Sequence, residues 1–299
     1  MTKTTRRRFA GGSLAAAGLM AQASPVRAQE IKGPWTEQGD VVVAAGKMHW
    51  QSLGSGEPLI MMPKLGGWAA DWRHIAPTLA TKFRVIAIDN PGHGGSTMNG
   101  PPPYLVSLPE SAAMVMATLD ALGIQRCNAI GNSLGGCILT VAAGLFPATF
   151  KKLVLLSVAL GTARPVEKIR EDAKAQVGVN FDANDMPIVR KFEDVQKRFG
   201  FTDRAVHDEQ NASRAKGGAW VAPSERGVAH AGVVDYLPRI TADTLLIYGE
   251  RGGYKEFEAP GKAGIKKVRS VHIPNAGSFT HQDNPTETAK VVMEFLTAP

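Results

Sequence analysis

The chain has 299 residues, of which 34 are Lys or Arg and 27 are Asp or Glu, and its formal charge is +7. Apolar residues make up 44% and charged residues 20% of the chain, close to the average of globular proteins, which excludes a disordered chain, a collagen and a coiled coil. Two cysteines exclude a disulfide scaffold. No apolar run reaches the roughly 18 residues of a membrane-spanning helix, so we expect no stable membrane anchor.

The first 28 residues have the layout of an export signal. A basic start is followed by a weakly apolar Gly/Ala stretch and by small residues before Gln29. The run TRRRF at residues 5–9 resembles a bacterial twin-arginine signal. We therefore predict a signal peptide over residues 1–28, passage through the twin-arginine export machinery and a periplasmic or secreted location; the alternative is a basic tail. Because this segment holds five basic residues and no acid, the mature chain is much less basic, and nucleic-acid binding is not indicated.

Short apolar runs alternate with helical stretches from about residue 40 onwards. We predict strands at Val41–Ala44, Met48–Leu53, Leu59–Met62, Arg84–Ile88, Cys127–Ile130, Lys152–Ser157, Leu245–Tyr248 and Val268–Ile273. We predict helices at Asp71–Ala80, Glu110–Leu122, Leu134–Phe146 and Thr286–Leu296. Strands that alternate with helices indicate an α/β fold with a mostly parallel sheet and helices on both faces.

The stretch from about residue 161 to residue 238 breaks this alternation. It is charged and helix-like and contains no convincing strand. Because a structureless linker of that length is unusual in a compact domain, we predict a helical insertion over the carboxyl edge of the sheet. We call residues 161–238 the cap segment.

The residues most indicative of chemistry are GNSLGG at 131–136, between a predicted strand and a predicted helix. They contain G-x-S-x-G, which in this context places the serine on a sharp, strained turn with its hydroxyl above the sheet. Gly131 and Gly135 are expected to be small because the strand and the helix crowd together there. The helix N-terminus then directs free N–H groups towards an oxyanion formed beside Ser133. The alternative is a glycine-rich turn with an idle serine.

Together with further segments, this motif resembles the α/β-hydrolase superfamily, and the resemblance covers nearly all of residues 29–299. The other segments are PLIMM and GGW within 58–68, DNPGHGGS at 89–96, TLLIYGE at 244–250, IPNAG at 273–277 and NP at 284–285. The resemblance implies an eight-stranded-type α/β-hydrolase sheet with a helical cap. It also implies an enzyme of the carboxylic ester hydrolase class.

Three positions depart from the pattern of that family. Its members usually carry a histidine seven residues before the proline that here is Pro285, and Ser278 stands at that position. Gly252 takes the place of the acid that follows W/Y-G-E-x, and Pro63-Lys64 takes the place of the His-Gly of the oxyanion loop. The departures matter because disabling one member of a serine triad typically slows the reaction by roughly 10⁴-fold.

A different base and a different acid are therefore considered. His281 lies three residues after Ser278 and is the nearest base by sequence; the alternative is a surface histidine at a helix start. Glu250 is a candidate acid, or a structural ion-pair partner. The other candidates are Asp283, His93, His207 and His230.

The remaining site predictions concern the oxyanion and the substrate pocket. We expect the backbone N–H groups of Leu134 and Leu65 to form the oxyanion hole. Lys64 either stabilises an anionic substrate or oxyanion or points to solvent. Trp68 either lines the substrate pocket or packs under the cap segment.

Two functions stay open. The first is a serine hydrolase that acts on a small ester, lactone or related acyl compound through nucleophilic Ser133. The second is a hydrolase-like protein that has lost the standard triad and binds a small molecule or catalyses a non-hydrolytic reaction. The sequence indicates no cofactor and no metal, because it has no His/Cys cluster with ligand spacing and no dinucleotide fingerprint.

Overall fold

The computed structural model describes residues 33–299, in which nine strands form one sheet. The strands are β1 (Glu37–Val43), β2 (Gly46–Leu53), β3 (Glu57–Met62), β4 (Phe83–Ile88), β5 (Thr97–Met98), β6 (Cys127–Asn132), β7 (Phe150–Leu156), β8 (Asp243–Gly249) and β9 (Val268–Ile273). Their order is β1-β2-β4-β3-β6-β7-β8-β9, with β5 paired to β2. All pairs from β4 to β9 along this order are parallel, while β1 and β2 are antiparallel to their neighbours.

Helices connect these strands. They are α1 (Ala76–Leu79), α2 (Leu108–Ala121), α3 (Leu134–Leu145), α4 (Val166–Gln176), α5 (Phe192–Phe199), α6 (Arg204–Gly217), α7 (Val221–His230), α8 (Glu258–Gly264), α9 (Thr280–Asp283) and α10 (Pro285–Thr297). Short 3₁₀ turns lie at Ala69–Trp72, Gly218–Trp220, Val233–Arg239 and Lys255–Phe257. None of the helices in this described part of the chain has the length and apolar character needed to cross a membrane.

The predicted fold class is confirmed: a mostly parallel sheet is covered by helices on both faces. Strand β3 shows how one short sequence serves two cores. Leu59 and Met61 pack on one face with Trp72 of the first 3₁₀ turn, whereas Ile60 and Met62 pack on the other. Successive side chains of a strand point to opposite faces, so a strand buried on both sides is a continuous apolar run.

The predicted helix over Asp71–Ala80 is wrong. Residues Ala69–Trp72 form a 3₁₀ turn and a separate short helix, α1, begins at Ala76. Pro77 lies at the start of α1. Proline has no N–H to donate and its ring clashes with the carbonyl four residues earlier, so one continuous helix cannot pass through this position.

The cap segment contains α4 to α7 and no strand of the sheet. It leaves the sheet after β7, the strand beside β6, and returns to it at β8, the strand on the far side of β7. Its helices therefore arise at the carboxyl ends of the parallel strands, beside the turn that follows β6. The predicted signal peptide, residues 1–28, lies outside the described residues.

Candidate functional site

Ser133 occupies the turn between β6 and α3 in a strained backbone conformation. Its φ of 49° and ψ of −113° lie in a region that non-glycine residues rarely adopt. Two hydrogen bonds hold the turn: the Ser133 N–H donates to the Leu156 carbonyl at 3.0 Å, and the Cys137 N–H donates to the Ser133 carbonyl at 2.8 Å. The serine is therefore fixed at the carboxyl end of the sheet.

The two glycines of the motif are required by close packing of strand and helix. A Cβ atom on Gly131 would lie 2.5 Å from the Gly136 Cα atom, and one on Gly135 would lie 2.4 Å from the Met62 carbonyl oxygen. Both distances are shorter than any real Cβ contact, and both neighbours are backbone atoms that cannot move aside. The crowding expected from the sequence is thus observed.

Ser133 opens into a cavity of about 540 Å³ between the sheet and the cap segment. The floor beside it includes Leu134, Leu65 and Lys64, which are three of the residues predicted from the sequence for this site. Apolar side chains of Phe199, Phe257, Phe279 and Val228 form part of its wall. A volume of this size accommodates a small organic molecule.

The loop after β3 is held against the start of α3. The Pro63 carbonyl accepts hydrogen bonds from the Gly135 N–H at 3.0 Å and from the Asn90 side-chain amide at 2.8 Å. This arrangement brings Leu65 and Leu134 to the same cavity. Because the first N–H groups of a helix have no acceptor within the helix, that of Leu134 is free to bind an oxyanion; the oxyanion role of the two leucines stays a prediction.

Lys64 does not point to solvent. It is 5% exposed, and its Nζ atom lies 2.6 Å from Oδ2 of Asp71, a carboxylate with no exposed surface. Part of its positive charge is therefore matched within the protein. Burial raises the pKa of Asp71, and the charge of Lys64 acts in the opposite direction.

Trp68 is not among the residues that line the cavity. Its ring is 8% exposed and lies under the Lys216 ammonium of α6, with Nζ 5.4 Å from the ring centre. The structure thus places it between the sheet and the cap segment.

The two altered triad positions are neighbours in space. A Cβ atom on Gly252 would lie 3.1 Å from the Ser278 Oγ atom. Ser278 is fully buried, and its Oγ accepts a hydrogen bond from the Gly253 N–H at 3.3 Å. The fold therefore brings the expected acid and histidine positions together, but neither residue carries a group that can deprotonate a serine.

His281 and Glu250 are not brought into the cavity with Ser133. The His281 ring is fully buried and stacks on Trp72 with 4.4 Å between centroids, and neither ring nitrogen has a hydrogen-bond partner in the described part of the chain. Burial, assisted by the nearby charge of Lys64, lowers the pKa of His281 well below its usual value. Glu250 is exposed, and its carboxylate accepts a hydrogen bond from the Asn275 N–H at 3.0 Å.

The other histidines considered as bases support the backbone. The Nε2 atom of His207 lies 2.9 Å from the Arg190 carbonyl, and Nδ1 of His230 lies 3.2 Å from the Arg164 carbonyl. His93 is buried with Nδ1 2.9 Å from a carbonyl oxygen two residues earlier. No histidine of residues 33–299 lines the cavity.

Tyr254 is a site residue that the sequence analysis did not identify. Its side chain lines the same cavity as Ser133. Burial raises the pKa of the Tyr254 phenol, and the nearby Ser133 side chain acts in the opposite direction. One feature of the sequence could have indicated Tyr254: it lies two residues after Gly252, in the turn that follows β8, where the family pattern places a catalytic acid.

More basic than acidic side chains line the cavity. Five basic side chains line it, Lys64, Arg164, Arg190, Arg198 and Arg214, against two acidic ones, Glu225 and Glu256. All four arginines belong to the cap segment. Arg164 pairs with Asp172, but the other three arginines form no ion pair within the described residues.

Several buried polar atoms of the cavity wall lack partners. The Nε atoms of Arg190 and Arg214 and both amide atoms of Gln210 have no hydrogen bond in the described structure, although Arg214 and Gln210 are only 4% and 1% exposed. Burial, followed by the charge of Arg214, lowers the pKa of Arg190. A buried polar group without a partner is costly, so these side chains are suited to a ligand that supplies negative charge and hydrogen-bond acceptors.

The donor set does not indicate a metal centre. Within residues 33–299 there is no cluster of three or more His, Cys, Asp or Glu side chains that could hold a metal ion.

The chain belongs to the alpha/beta hydrolase fold family, whose model matches residues 57–285. It is 32% identical over 281 residues to the 2-hydroxy-6-oxononadienedioate/2-hydroxy-6-oxononatrienedioate hydrolase 2 of Pseudomonas putida, an alignment that covers 84% of this chain and 91% of that protein. The fold is also that of the enol-lactonase from Burkholderia xenovorans LB400, with a TM-score of 0.70, 20% identity, and coverage of 87% of this chain and 100% of that one.

Other alignments with curated proteins are shorter. One relative is the 2-hydroxy-6-oxo-6-phenylhexa-2,4-dienoate hydrolase of Comamonas testosteroni, with 33% identity over 36% of this chain and 39% of that protein. Another is the dihydrolipoyllysine-residue acetyltransferase component of the acetoin cleaving system of Pseudomonas putida, with 35% identity over 46% of this chain and 36% of that protein. The chain thus spans less than two fifths of these two relatives.

We predict that Gly135→Ala destabilises the protein by about 2–3 kcal/mol, because the new methyl group overlaps the Met62 carbonyl and forces the backbone apart. The measurement is urea-induced unfolding of the variant and the parent protein. Gly161→Ala is the control, because its Cβ atom would meet its nearest neighbour, an atom of Phe257, at 3.4 Å. A loss at Gly135 no larger than that at Gly161 would contradict the packing explanation.

Asp283 makes the stability depend on pH. Its carboxylate accepts a hydrogen bond from the Gly277 N–H at 2.8 Å, and burial raises its pKa to about 6. Because the folded state then holds a proton that the unfolded state loses near pH 4, the contribution of this group is greatest below pH 4 and is lost as the pH rises to about 6.

For Asp283→Asn we therefore expect stability relative to the parent protein to increase between pH 4 and pH 7, by about 1–2 kcal/mol. Urea unfolding at the two pH values provides the measurement. Asp120→Asn, on an exposed position of α2, should show no such difference. A constant gap between Asp283→Asn and the parent at both pH values would rule out the proposed titration.

Proposed function

We propose that this protein hydrolyses a small, carboxylate-bearing ester, lactone or related acyl compound, with Ser133 as the nucleophile. The observation that supports this most directly is the position of Ser133 on a strained turn that opens into an arginine-lined cavity. The Pseudomonas putida relative that aligns over 91% of its length is by its name a hydrolase of a dioate, a compound with two carboxylates. The excess of basic side chains fits a substrate of that charge.

In this mechanism the two halves of the cavity have separate tasks. Arginine side chains of the cap segment bind the substrate carboxylate, since guanidinium groups form charge-assisted hydrogen bonds with carboxylates. The bound substrate then presents its acyl carbon to the Ser133 Oγ atom. The N–H groups of Leu134 and Leu65 bind the oxyanion that develops on the carbonyl, and water releases the acyl group from the serine.

Turnover is expected to be slow for a serine hydrolase. A serine hydroxyl is a weak nucleophile unless a base takes its proton, and no imidazole of the described residues lines the cavity. Loss of the base typically costs roughly 10⁴-fold, while the oxyanion hole and substrate binding alone preserve about 10³-fold over the uncatalysed reaction. We further propose that the enzyme acts outside the cytoplasm, since residues 1–28 resemble a twin-arginine signal.

A second candidate function is binding, or non-hydrolytic conversion, of the same class of anionic compound. The observation that favours it is the pair Gly252 and Ser278, which occupy the acid and histidine positions of the family pattern without any ionisable group. The cavity and its arginines suit this candidate equally well. The two candidates differ in the reactivity of Ser133.

We predict that Ser133→Ala abolishes hydrolysis of a panel of 4-nitrophenyl esters and labelling by a fluorophosphonate probe, because both reactions form a bond to the Ser133 Oγ atom. Labelling is measured by intact-protein mass. Ser270→Ala is the control, since Ser270 bonds to Glu258 at 2.5 Å and does not line the cavity. Equal hydrolysis by Ser133→Ala would reject the nucleophile; binding of dicarboxylates without labelling of the parent protein would establish the second candidate.

Arg190→Gln is expected to weaken recognition of an anionic substrate selectively. Loss of one charge-assisted hydrogen bond should raise KM for 4-nitrophenyl succinate, which carries a carboxylate, by about tenfold, with less than about twofold change for 4-nitrophenyl acetate. The control is Arg204→Gln, a cap arginine that pairs with Glu193 outside the cavity. An equal change in KM for the two esters would show that Arg190 does not bind the carboxylate of the substrate.

A further inference from the structure

A second cavity, of about 240 Å³, lies within the cap segment, and we call it the annex. Helices α4 and α7 and the loop that follows α4 form its walls. Half of its lining is apolar: Ile169, Ala173, Ala175, Phe181, Ala222 and Ala229. Since an apolar cavity of about 150 Å³ already holds a benzene molecule, the annex has room for a phenyl ring or a short alkyl chain.

The annex shares a wall with the cavity that Ser133 lines. Four residues contribute to both spaces: Arg164, Arg198, Glu225 and Ala229. The apolar cluster that contains Phe181 and Ala222 of the annex also packs against Leu65, which lies beside Ser133 in the larger cavity. A substrate bound at Ser133 is therefore next to the annex.

The shared wall consists partly of side chains that nothing holds in place by charge. Arg198 of α5 and Glu225 of α7 form no ion pair within the described residues. Ala229 contributes only a methyl group to the junction. Because both long side chains can change rotamer without breaking an ion pair, a substituent of the substrate can extend past them into the annex.

The annex differs from the larger cavity in its charge. Arg164 pairs with Asp172, and Arg226 pairs with Asp185, so most charged groups around the annex are matched within the protein. The arginines of the larger cavity that have no acidic partner, by contrast, favour an anionic group. A neutral, apolar group in the annex gains free energy from leaving water and requires no counter-charge.

We propose that the annex is a substrate subsite that binds an apolar alkyl or phenyl substituent of about six carbon atoms. This inference deepens the proposed function and rests on it, because it takes Ser133 as the place where the acyl carbon reacts. Ala173 and Ala229 are then specificity-determining residues. The first leaves the annex empty of protein atoms, and the second leaves its junction with the larger cavity open.

The test compares three esters, ethyl acetate, ethyl hexanoate and hexyl acetate, whose hydrolysis is followed by titration of the released acid. Ala173→Phe places a ring in the annex. We expect it to lower kcat/KM by about tenfold for a long ester and by less than about twofold for ethyl acetate. The long ester that is affected identifies whether the acyl or the alcohol side of the substrate enters the annex.

A second variant and a control separate the subsite from a general effect on the cap segment. Ala229→Leu narrows the junction and should discriminate against the same long ester, even if Ala173→Phe fails to fold. Ala215→Phe is the control, since Ala215 is exposed on α6 and lines neither cavity. Circular dichroism verifies that each variant is folded.

Binding provides a measurement that does not depend on catalysis. By titration calorimetry, the parent protein should bind hexanoate about tenfold more tightly than acetate, and Ala173→Phe should remove this preference. If the parent shows this preference but hydrolyses no ester, the proposed function fails while the annex stands as an apolar binding site.

Other results overturn the inference. An equal loss of kcat/KM for all three esters would show that the annex is a passage to the Ser133 cavity and not a subsite. Unchanged ester selectivity in both folded variants would show that the substrate does not enter the annex, while Ser133 stays the nucleophile.

Discussion

The close crossing of β6 and α3 is the constraint on which the rest of the site depends. Without side chains at Gly131 and Gly135 the strand and the helix approach to backbone contact, and the residue between them must turn through a left-handed conformation. The free energy of that strain is offset by the apolar packing of both sheet faces. Ser133 is consequently held out above the sheet, whatever chemistry its neighbours support.

Two parts of the chain supply the functional groups of the cavity. The sheet and its loops supply Ser133 and the backbone N–H groups beside it, while the cap segment supplies the arginines. His207 and His230 bond to the carbonyls of Arg190 and Arg164, so histidines that sequence alone offered as bases instead hold the backbone of the charged wall. A change in the cap segment can therefore alter substrate charge preference without moving the serine.

The altered positions form a coherent group. Ser278 and Gly252 lie against each other where a histidine and an acid are expected, and the Ser278 Oγ atom holds the turn after β8 by accepting a hydrogen bond from the Gly253 N–H. His281, by contrast, is sealed against Trp72 with its pKa lowered by burial. A buried, neutral imidazole at this position contributes to packing. The closeness of His281 to Ser278 in the sequence did not indicate that the His281 ring would be buried.

The sequence by itself determined the fold class, most strand positions and the serine turn, because these depend on local apolar runs and on a contiguous glycine motif. The sequence-based prediction of one helix over Asp71–Ala80 was wrong, because a proline inside a helix interrupts it and Pro77 was not taken into account. Only the tertiary structure decided which side chains share the cavity with Ser133. Tyr254 and the cap arginines are distant in sequence, and folding of the cap segment over the carboxyl edge brings them together, so no local pattern records their proximity.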